Sequence, residues 1–177
     1  YFALMKFISD LNAECKKNRR RAHFSIIGSG ELVYELKKRC KQFDALQFDF
    51  LSYIELKDLK VVSEKVDCAV AMGTSAIDCA NLGIPTIVLD FHYKNFPKSY
   101  KYQFLHEQTG ASLGRSLSRK QTQGRELANL LLELISDNNG LRERSMNYLE
   151  ATHDIAKTVV LLENAMQKAS LASQDLD

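Results

Sequence analysis

A turn of small and hydroxyl residues, Gly73-Thr74-Ser75, is the stretch of this chain best suited to binding an anion. It stands between an apolar run and a predicted helix, so it offers free backbone N–H groups, hydroxyl groups and the positive end of a helix dipole. Such a combination favours a phosphate. Asp78 follows five residues after Gly73, and an acid near the carboxyl end of a strand can bind ribose hydroxyl groups.

The same residues also fit a strand–helix–strand unit with no ligand. In that interpretation, Thr74 or Ser75 is the N-cap of the helix, and Asp78 is an acid that favours the helix start. The residue types and their spacing do not separate the two interpretations.

The elements that hold this turn are predicted by the apolar pattern around it. The pattern predicts a buried strand over residues 67–72, a short helix from the turn to Leu82, and a second strand from Thr86. Neither apolar run alternates with polar residues, which is typical of parallel strands buried on both faces. Gly83 and Pro85 end the helix, because glycine suits the left-handed position after a helix and proline cannot continue one.

Two further strands are predicted upstream. The first covers residues 24–27 and is followed by Gly28-Ser29-Gly30, a turn that opens a helix. Its glycines are a weak dinucleotide-binding signal, because no third glycine follows at the required spacing; a turn that needs small residues for packing explains them equally well. The second strand covers residues 46–51, and Ser52 to Glu55 is a capping-box pattern for the next helix.

The run from Met72 to Val88 reads MGTSAIDCANLGIPTIV, and it resembles the signature of the nucleotide-sugar-binding half of GT-B glycosyltransferases. In that family a Gly-Thr/Ser turn precedes an acidic residue, and Gly-x-Pro leads into an apolar strand. The form most similar to this chain is that of lipid A disaccharide synthase and the peptidoglycan-precursor GlcNAc transferase. The resemblance implies a Rossmann-like α/β domain with a mainly parallel sheet, helices on both faces and carboxy-terminal helices.

The resemblance also implies roles for single residues. Both glycine turns face the nucleotide, Asp78 takes the ribose position where the family usually has Glu, and the turn after the strand 46–51 lies near the base. The loop 91–98 follows a strand end, the side where open α/β sheets bind ligands, and a surface loop is its alternative interpretation. The residues assigned in this way are Gly28, Ser29, Gly30, Gly73, Thr74 and Ser75 for the diphosphate, Asp78 for the ribose, Phe50, Leu51 and Ser52 for the base, and His92 and Lys94 for phosphate or sugar.

The implied function is donor binding in a glycosyltransferase of polysaccharide or lipopolysaccharide synthesis, with a UDP-sugar as ligand and with no cofactor or metal. Residues 1–168 would form one donor domain and residues 169–177 a polar tail. In this family the domain's first strand precedes the helix that the pattern predicts at residues 1–15, and the catalytic base usually comes from an amino-terminal acceptor domain. We therefore expect both to lie outside this sequence, and the chain alone to bind the donor without transferring a hexosyl group.

Two other functions remain open. One is an enzyme similar to UDP-GlcNAc 2-epimerase, which has the same fold and uses catalytic groups from both domains. The other is a flavodoxin-like binding or regulatory module without chemistry, for which Asp90 is the single candidate for phosphorylation at a strand end. No HExxH, Walker A or GxSxG motif is present to favour another reaction.

Composition places few limits on function. The 177 residues are 45% hydrophobic, enough for one core, and the net charge of +2 does not indicate a nucleic-acid partner. Cys15, Cys40, Cys68 and Cys79 have no CxxC spacing and are predicted to be free thiols in a reducing cytoplasm. No apolar run approaches the length of a membrane span.

A basic cluster interrupts this even charge distribution. Five cations fall within residues 16–21, namely Lys16, Lys17, Arg19, Arg20 and Arg21. Such a cluster can contact an anionic membrane surface, or it can be a solvated loop whose cations favour the end of the preceding helix.

The carboxy-terminal third is predicted to be mainly helical. Residues 109–115 resemble the last short strand of the domain, and a helix follows with an apolar face from Leu127 to Leu134. Asn138-Asn139-Gly140 is predicted to stop that helix. Two more helices are expected over residues 141–151 and 155–168, the last with Val159, Leu162 and Met166 on one face.

Overall fold

A computed structural model describes residues 1–92, 96–110, 112–114, 116 and 123–174. Helices and strands alternate over the first half of the chain, and helices alone follow from Leu127, so the predicted α/β class with carboxy-terminal helices is confirmed. In chain order the elements are α1 (Phe2–Lys17), β1 (Ala22–Ile27), α2 (Val33–Cys40), β2 (Leu46–Leu51), α3 (Leu56–Ser63), β3 (Ala69–Ala71), α4 (Thr74–Asn81), β4 (Thr86–Val88), β5 (Gln103–Phe104), a 3-10 turn (Leu105–Glu107), α5 (Leu127–Ser136), α6 (Asn138–Thr152) and α7 (Ile155–Gln174).

The prediction of a single, mainly parallel sheet is wrong, because the strands form two small sheets. β1 pairs in parallel with β2, while β3 pairs in parallel with β4, which pairs antiparallel with β5. A doubly wound sheet has the strand order 3-2-1-4-5-6, in which strand 1 lies in the middle, between strands 2 and 4. If β1, β2, β3 and β4 correspond to strands 2, 3, 4 and 5 of that sheet, strand 1 would lie between β1 and β3. No strand of the described residues lies there.

Buried side chains of β4, the middle strand of the second sheet, pack against residues of helices on both of its faces. Side chains alternate between the two faces along a strand, and on β4 Ile87 belongs to one buried cluster while Val88 belongs to another. The first cluster contains residues of α1, α2 and α5 together with Leu141 at the start of α6, and the second contains residues of α4 and Leu149 near the end of α6. All three residues of β4 are buried, as predicted, whereas those of β3 are half-buried.

The helix α1 joins the two sheets into one core. The Phe7 ring packs against Phe24 of β1, at 6.1 Å between centroids, and against Tyr102 beside β5, at 5.5 Å. The Tyr102 hydroxyl donates a 2.7 Å hydrogen bond to Asp10, one turn further along α1, and Asp10 also pairs with Lys6 at 2.6 Å. This buried aromatic contact holds the sheets together, although their strands are not hydrogen-bonded to one another.

Two predicted helix boundaries are wrong, whereas α2 follows the predicted turn 28–30 and begins at Val33. α3 begins at Leu56 with Glu55 at its N-cap and no side-chain capping bond, so the capping box from Ser52 does not form. The segment 138–140 does not stop a helix but begins α6. The reason is that Asp137 caps α6, its carboxylate accepting a 3.2 Å hydrogen bond from the Gly140 N–H.

The last helix, α7, has an exposed apolar face. Its apolar side chains Val159, Leu162 and Met166 are 45%, 59% and 63% exposed, so this face does not pack against the core of the described chain. The helix also extends to Gln174, into the segment predicted as a polar tail.

A charged network ties β5 to the carboxy-terminal helices. Arg125 pairs with Glu107 at 2.6 Å and with Glu133 at 2.7 Å, and Arg144 pairs with Glu133 at 2.8 Å. His106 stacks on Phe104 beside this network. Burial, together with the nearby cations Arg144 and Arg125, lowers the pKa of His106 to about 4.

This shift predicts a pH dependence of stability for which His106 is responsible. A histidine in the unfolded chain has a pKa of about 6.5, so between pH 6.5 and about 4 the unfolded state binds the proton more readily than the folded state. The free energy of unfolding should therefore fall as the pH is lowered through this window. Denaturant titrations of the wild type and of His106→Gln should show a flatter profile for the variant; parallel profiles would contradict the assignment.

Candidate functional site

The loops after β1 and β2 lie side by side at the carboxyl ends of these strands. The Gly28 N–H donates a 2.8 Å hydrogen bond to the Leu51 carbonyl, which continues the parallel pairing one residue beyond the strands. Ser29, Gly30 and Ser52 are exposed. The structure therefore brings together the predicted diphosphate turn 28–30 and two of the residues predicted near the base.

The third residue predicted near the base, Phe50, faces the core. Its ring stacks with Phe48 at 6.3 Å and lies below the Lys37 ammonium at 5.3 Å. Tyr53, which the sequence interpretation did not assign, is 76% exposed immediately after Ser52. Its place in the sequence, as an aromatic residue after a strand end, could have drawn attention to it.

The Gly73 turn has a backbone that requires glycine. Its φ of 61° and ψ of −145° form a combination that is almost exclusive to glycine, and a Cβ at this position would meet no atom within 4 Å. Gly73 is itself the N-cap of α4, with no side-chain capping bond. The alternative in which Thr74 or Ser75 is the cap is therefore wrong, because both residues are already inside the helix.

The start of α4 carries unused hydrogen-bond donors. The Gly73 N–H donates to the Leu113 carbonyl at 3.0 Å, and the Ala76 N–H donates back to the Gly73 carbonyl at 3.0 Å. Between them, the N–H groups of Thr74 and Ser75 have no acceptor among the residues that the structure describes, and both residues are exposed. Two adjacent donors at the positive end of a helix dipole can hold an anion.

Asp78 lies on the same exposed face of α4 as this turn. It is one helical turn beyond Thr74, and helical side chains lean toward the helix start. Ala76 and Ala80 form the opposite, fully buried face. Within the described part of the chain the Asp78 carboxylate has no hydrogen bond or ion pair, so it is available to a ligand held at the Thr74 and Ser75 amides.

A segment near residue 113 closes the turn from the other side, and the sequence interpretation missed it. The Leu113 carbonyl accepts the Gly73 N–H, and Gly114 lies so close to β4 that a Cβ there would be 2.9 Å from the Leu89 carbonyl oxygen. The described residues of the predicted strand 109–115 form no strand; the nearest pairing is a single bridge between Ser116 and Phe91. In the sequence, the glycine at position 114 was the feature that could have indicated this close approach.

The loop after β4 contains a buried acid. Asp90 is fully buried, and the Tyr100 hydroxyl donates to its carboxylate at 3.1 Å. His92 is half-buried, with its ring edge-on to Phe96 at 5.9 Å between centroids. The other residue predicted in this loop, Lys94, lies outside the described residues.

No hydrogen bond or ion pair of the described residues joins the turn 28–30 to the turn 73–75, so the two predicted diphosphate turns are separate loops. Among these residues no three His, Cys, Asp or Glu side chains form a group that could hold a metal ion.

The four cysteines are free, as predicted. Desolvation raises the pKa of the Cys68 thiol to about 12, and burial also raises the pKa of Cys79. Neither cysteine near the Gly73 turn therefore carries a reactive thiolate at neutral pH.

None of the helices in the described residues is both long and apolar enough to cross a membrane. Comparisons with protein-family models, with curated proteins and with solved structures found no match for this chain.

Proposed function

We propose that this chain binds the nucleoside diphosphate of a nucleotide-sugar, as the donor-binding domain of a glycosyltransferase of the GT-B type. The observation that carries the proposal is the start of α4. There the N–H groups of Thr74 and Ser75 and the carboxylate of Asp78, which have no partner among the described residues, share one exposed face beside a glycine-only turn.

Each group on this face has a distinct role. The amides and hydroxyls of Thr74 and Ser75 bind phosphate oxygens, because a helix start favours negative charge. Asp78 accepts hydrogen bonds from the two ribose hydroxyls. Thr74 and Asp78 are one helical turn of about 5.4 Å apart, a distance that suits the separation of a ribose from its phosphate.

The loops after β1 and β2 form the second half of the proposed site. Gly28, Ser29 and Gly30 give small, exposed backbone near the phosphates, while Leu51, Ser52 and the exposed ring of Tyr53 lie near the base. A base can stack on such a ring irrespective of its hydrogen-bonding pattern. UDP is the nucleotide that the resemblance to GT-B enzymes favours.

The proposed chemistry is hexosyl transfer by a longer parent enzyme. A base that activates the acceptor would come from an acceptor domain. In this chain, His92 is the candidate for contact with the donor sugar. The burial of Asp90 and its hydrogen bond to Tyr100 disfavour the alternative of a phosphorylated regulator, because phosphorylation needs an exposed carboxylate.

Isothermal titration calorimetry of the folded chain with UDP, GDP, ADP and uridine tests the proposal. We expect saturable heat with UDP and a much weaker signal with uridine, because uridine lacks the phosphates that the helix start would hold. A folded sample that gives no heat with any of the three diphosphates would overturn the proposed function.

A further inference from the structure

The positive charge of this chain is concentrated in one segment. Residues 14–44 contain nine Lys and Arg against four Asp and Glu, a net charge of +5, whereas the rest of the chain contains 15 against 18, a net charge of −3. The small overall charge therefore hides a strongly basic region.

The fold gathers these cations at one edge of the first sheet. α1 ends at Lys17 and α2 ends at Cys40, and each helix is followed by a strand that begins at this edge. The two strand starts are joined by a hydrogen bond from the Ala22 N–H to the Ala45 carbonyl at 3.2 Å. Both helix ends, with their lysines and arginines, consequently lie at the amino ends of β1 and β2.

An open pocket of about 280 Å³ lies within this edge, and four of its seven lining residues are cations. We call the exposed surface formed by Lys16, Lys17, Arg19, Arg20 and Arg21 around this pocket the basic face. The lining residues are Cys15, Lys16, Arg19, Arg20, Arg21, Asp44 and Ala45.

Among the described residues, no acidic side chain neutralises the three arginines of the basic face. Lys16 pairs with Asp44 at 2.6 Å and Lys17 lies 3.8 Å from Glu14, but the arginines form no ion pair within the described residues. They also follow the last turn of α1, and the helix dipole acts mainly within that turn. Stabilisation of the helix end therefore accounts for the lysines and not for the arginines.

The backbone conformation at Arg19 also indicates a role for the arginines beyond helix stability. It has a left-handed φ of 52°, and the next residue, Arg20, donates its N–H to the Cys15 carbonyl at 2.8 Å. In this helix-ending motif glycine is the usual left-handed residue, because other residues are strained there. An arginine at this position places its charge at the rim of the pocket despite that strain.

We infer that the basic face binds the anionic phospholipid headgroups of a membrane surface. Clusters of Lys and Arg are attracted electrostatically to such surfaces, and each cation near the surface adds to the attraction. No aromatic side chain lines the pocket, whereas binding of single-stranded nucleic acid relies on stacking aromatic side chains. The site takes up lipid phosphates without inserting into the bilayer.

The location of the basic face suits this role. β1 and β2 are six residues long, so the face is roughly 20 Å from the turns at their carboxyl ends. A membrane bound at the amino ends of the strands leaves those turns open to a soluble ligand. This inference does not depend on the proposed function, because it uses none of the residues of the Gly73 turn.

Cosedimentation with lipid vesicles tests the inference. We expect the chain to bind vesicles of phosphatidylcholine and phosphatidylglycerol but not of phosphatidylcholine alone, with binding that weakens as salt is added. The variant Arg19→Gln/Arg20→Gln/Arg21→Gln should bind at least about tenfold more weakly. The matched control, Lys60→Gln/Lys65→Gln/Lys157→Gln, removes the same charge from exposed lysines elsewhere and should bind like the wild type.

Melting curves of both variants establish that they are folded, and UDP titrations should give the same result for both. Equal losses of vesicle binding in the two variants would overturn the inference, since net charge alone would then explain adsorption. The inference would also be overturned if the wild-type chain did not bind anionic vesicles, or if it bound an oligonucleotide and not the vesicles. Displacement of the chain from the vesicles by stoichiometric pyrophosphate would overturn it as well.

Discussion

Replacing Asp78 by asparagine is expected to weaken the binding of UDP by about one to two powers of ten. A hydrogen bond to a charged group contributes about 1.5–3 kcal/mol, which corresponds to this change in the dissociation constant. Asp78 is exposed and has no partner within the described residues, so the substitution breaks no protein contact there. Calorimetry of the variant with UDP measures the loss directly.

Without a ligand role, Asp78→Asn should change little. Asp78 is the fifth residue of α4 and lies beyond its first turn, where the effect of the helix dipole has fallen off, so neither stability nor affinity for UDP would change appreciably. Glu163→Gln is a matched control, because it removes one exposed negative charge from another helix, α7. Equal affinities in the wild type and in both variants would remove Asp78 from the site.

A 2′-deoxy nucleotide locates the contact on the ligand. It should bind more weakly than the ribonucleotide to the wild type, because one ribose hydroxyl is missing. In Asp78→Asn the difference between the two nucleotides should shrink, since protein and ligand changes then remove the same interaction. The same difference in both proteins would contradict a ribose contact.

Replacing Gly73 by alanine is expected to lower the free energy of unfolding by about 1–3 kcal/mol, the range for a non-glycine residue in a strained backbone region. A Cβ at position 73 meets no atom within 4 Å, so no steric clash adds to this effect. If the turn instead relaxes, the amides of Thr74 and Ser75 rotate away from the ligand and UDP binding is lost. Denaturant titration and calorimetry follow the two outcomes.

Gly30→Ala is the control for the stability measurement. Gly30 also stands in an exposed turn after a strand, with no atom within 4 Å of an added Cβ, but its φ is not in the left-handed region. Its substitution should leave stability almost unchanged. Wild-type stability together with wild-type UDP affinity in Gly73→Ala would contradict the account of the turn.

Local patterns were sufficient to predict the elements around the candidate site. The strand 46–51 and the helix from Leu127 follow from apolar spacing, and Gly83 ends α4 in a left-handed conformation, as its position after the helix predicted. These features depend on residues that are close in sequence, where backbone preference and periodicity act directly.

Contacts between distant residues could not be predicted in this way. The division into two sheets depends on which strand edges meet, and no pattern within β1 or β3 encodes that. The closure of the Gly73 turn by the Leu113 carbonyl joins residues 40 positions apart. The helix start at Asn138 was mispredicted because the capping bond of Asp137 outweighs the usual tendency of Asn and Gly to end a helix.

Binding of nucleotide phosphates at the start of α4 can be followed by amide NMR of the labelled chain titrated with UDP. We predict that the largest saturable shifts occur at the amides of Thr74, Ser75 and Asp78, with smaller shifts at Ser29 and Ser52. Shifts confined to the basic face at residues 16–21, with unchanged amides at Thr74 and Ser75, would contradict this prediction.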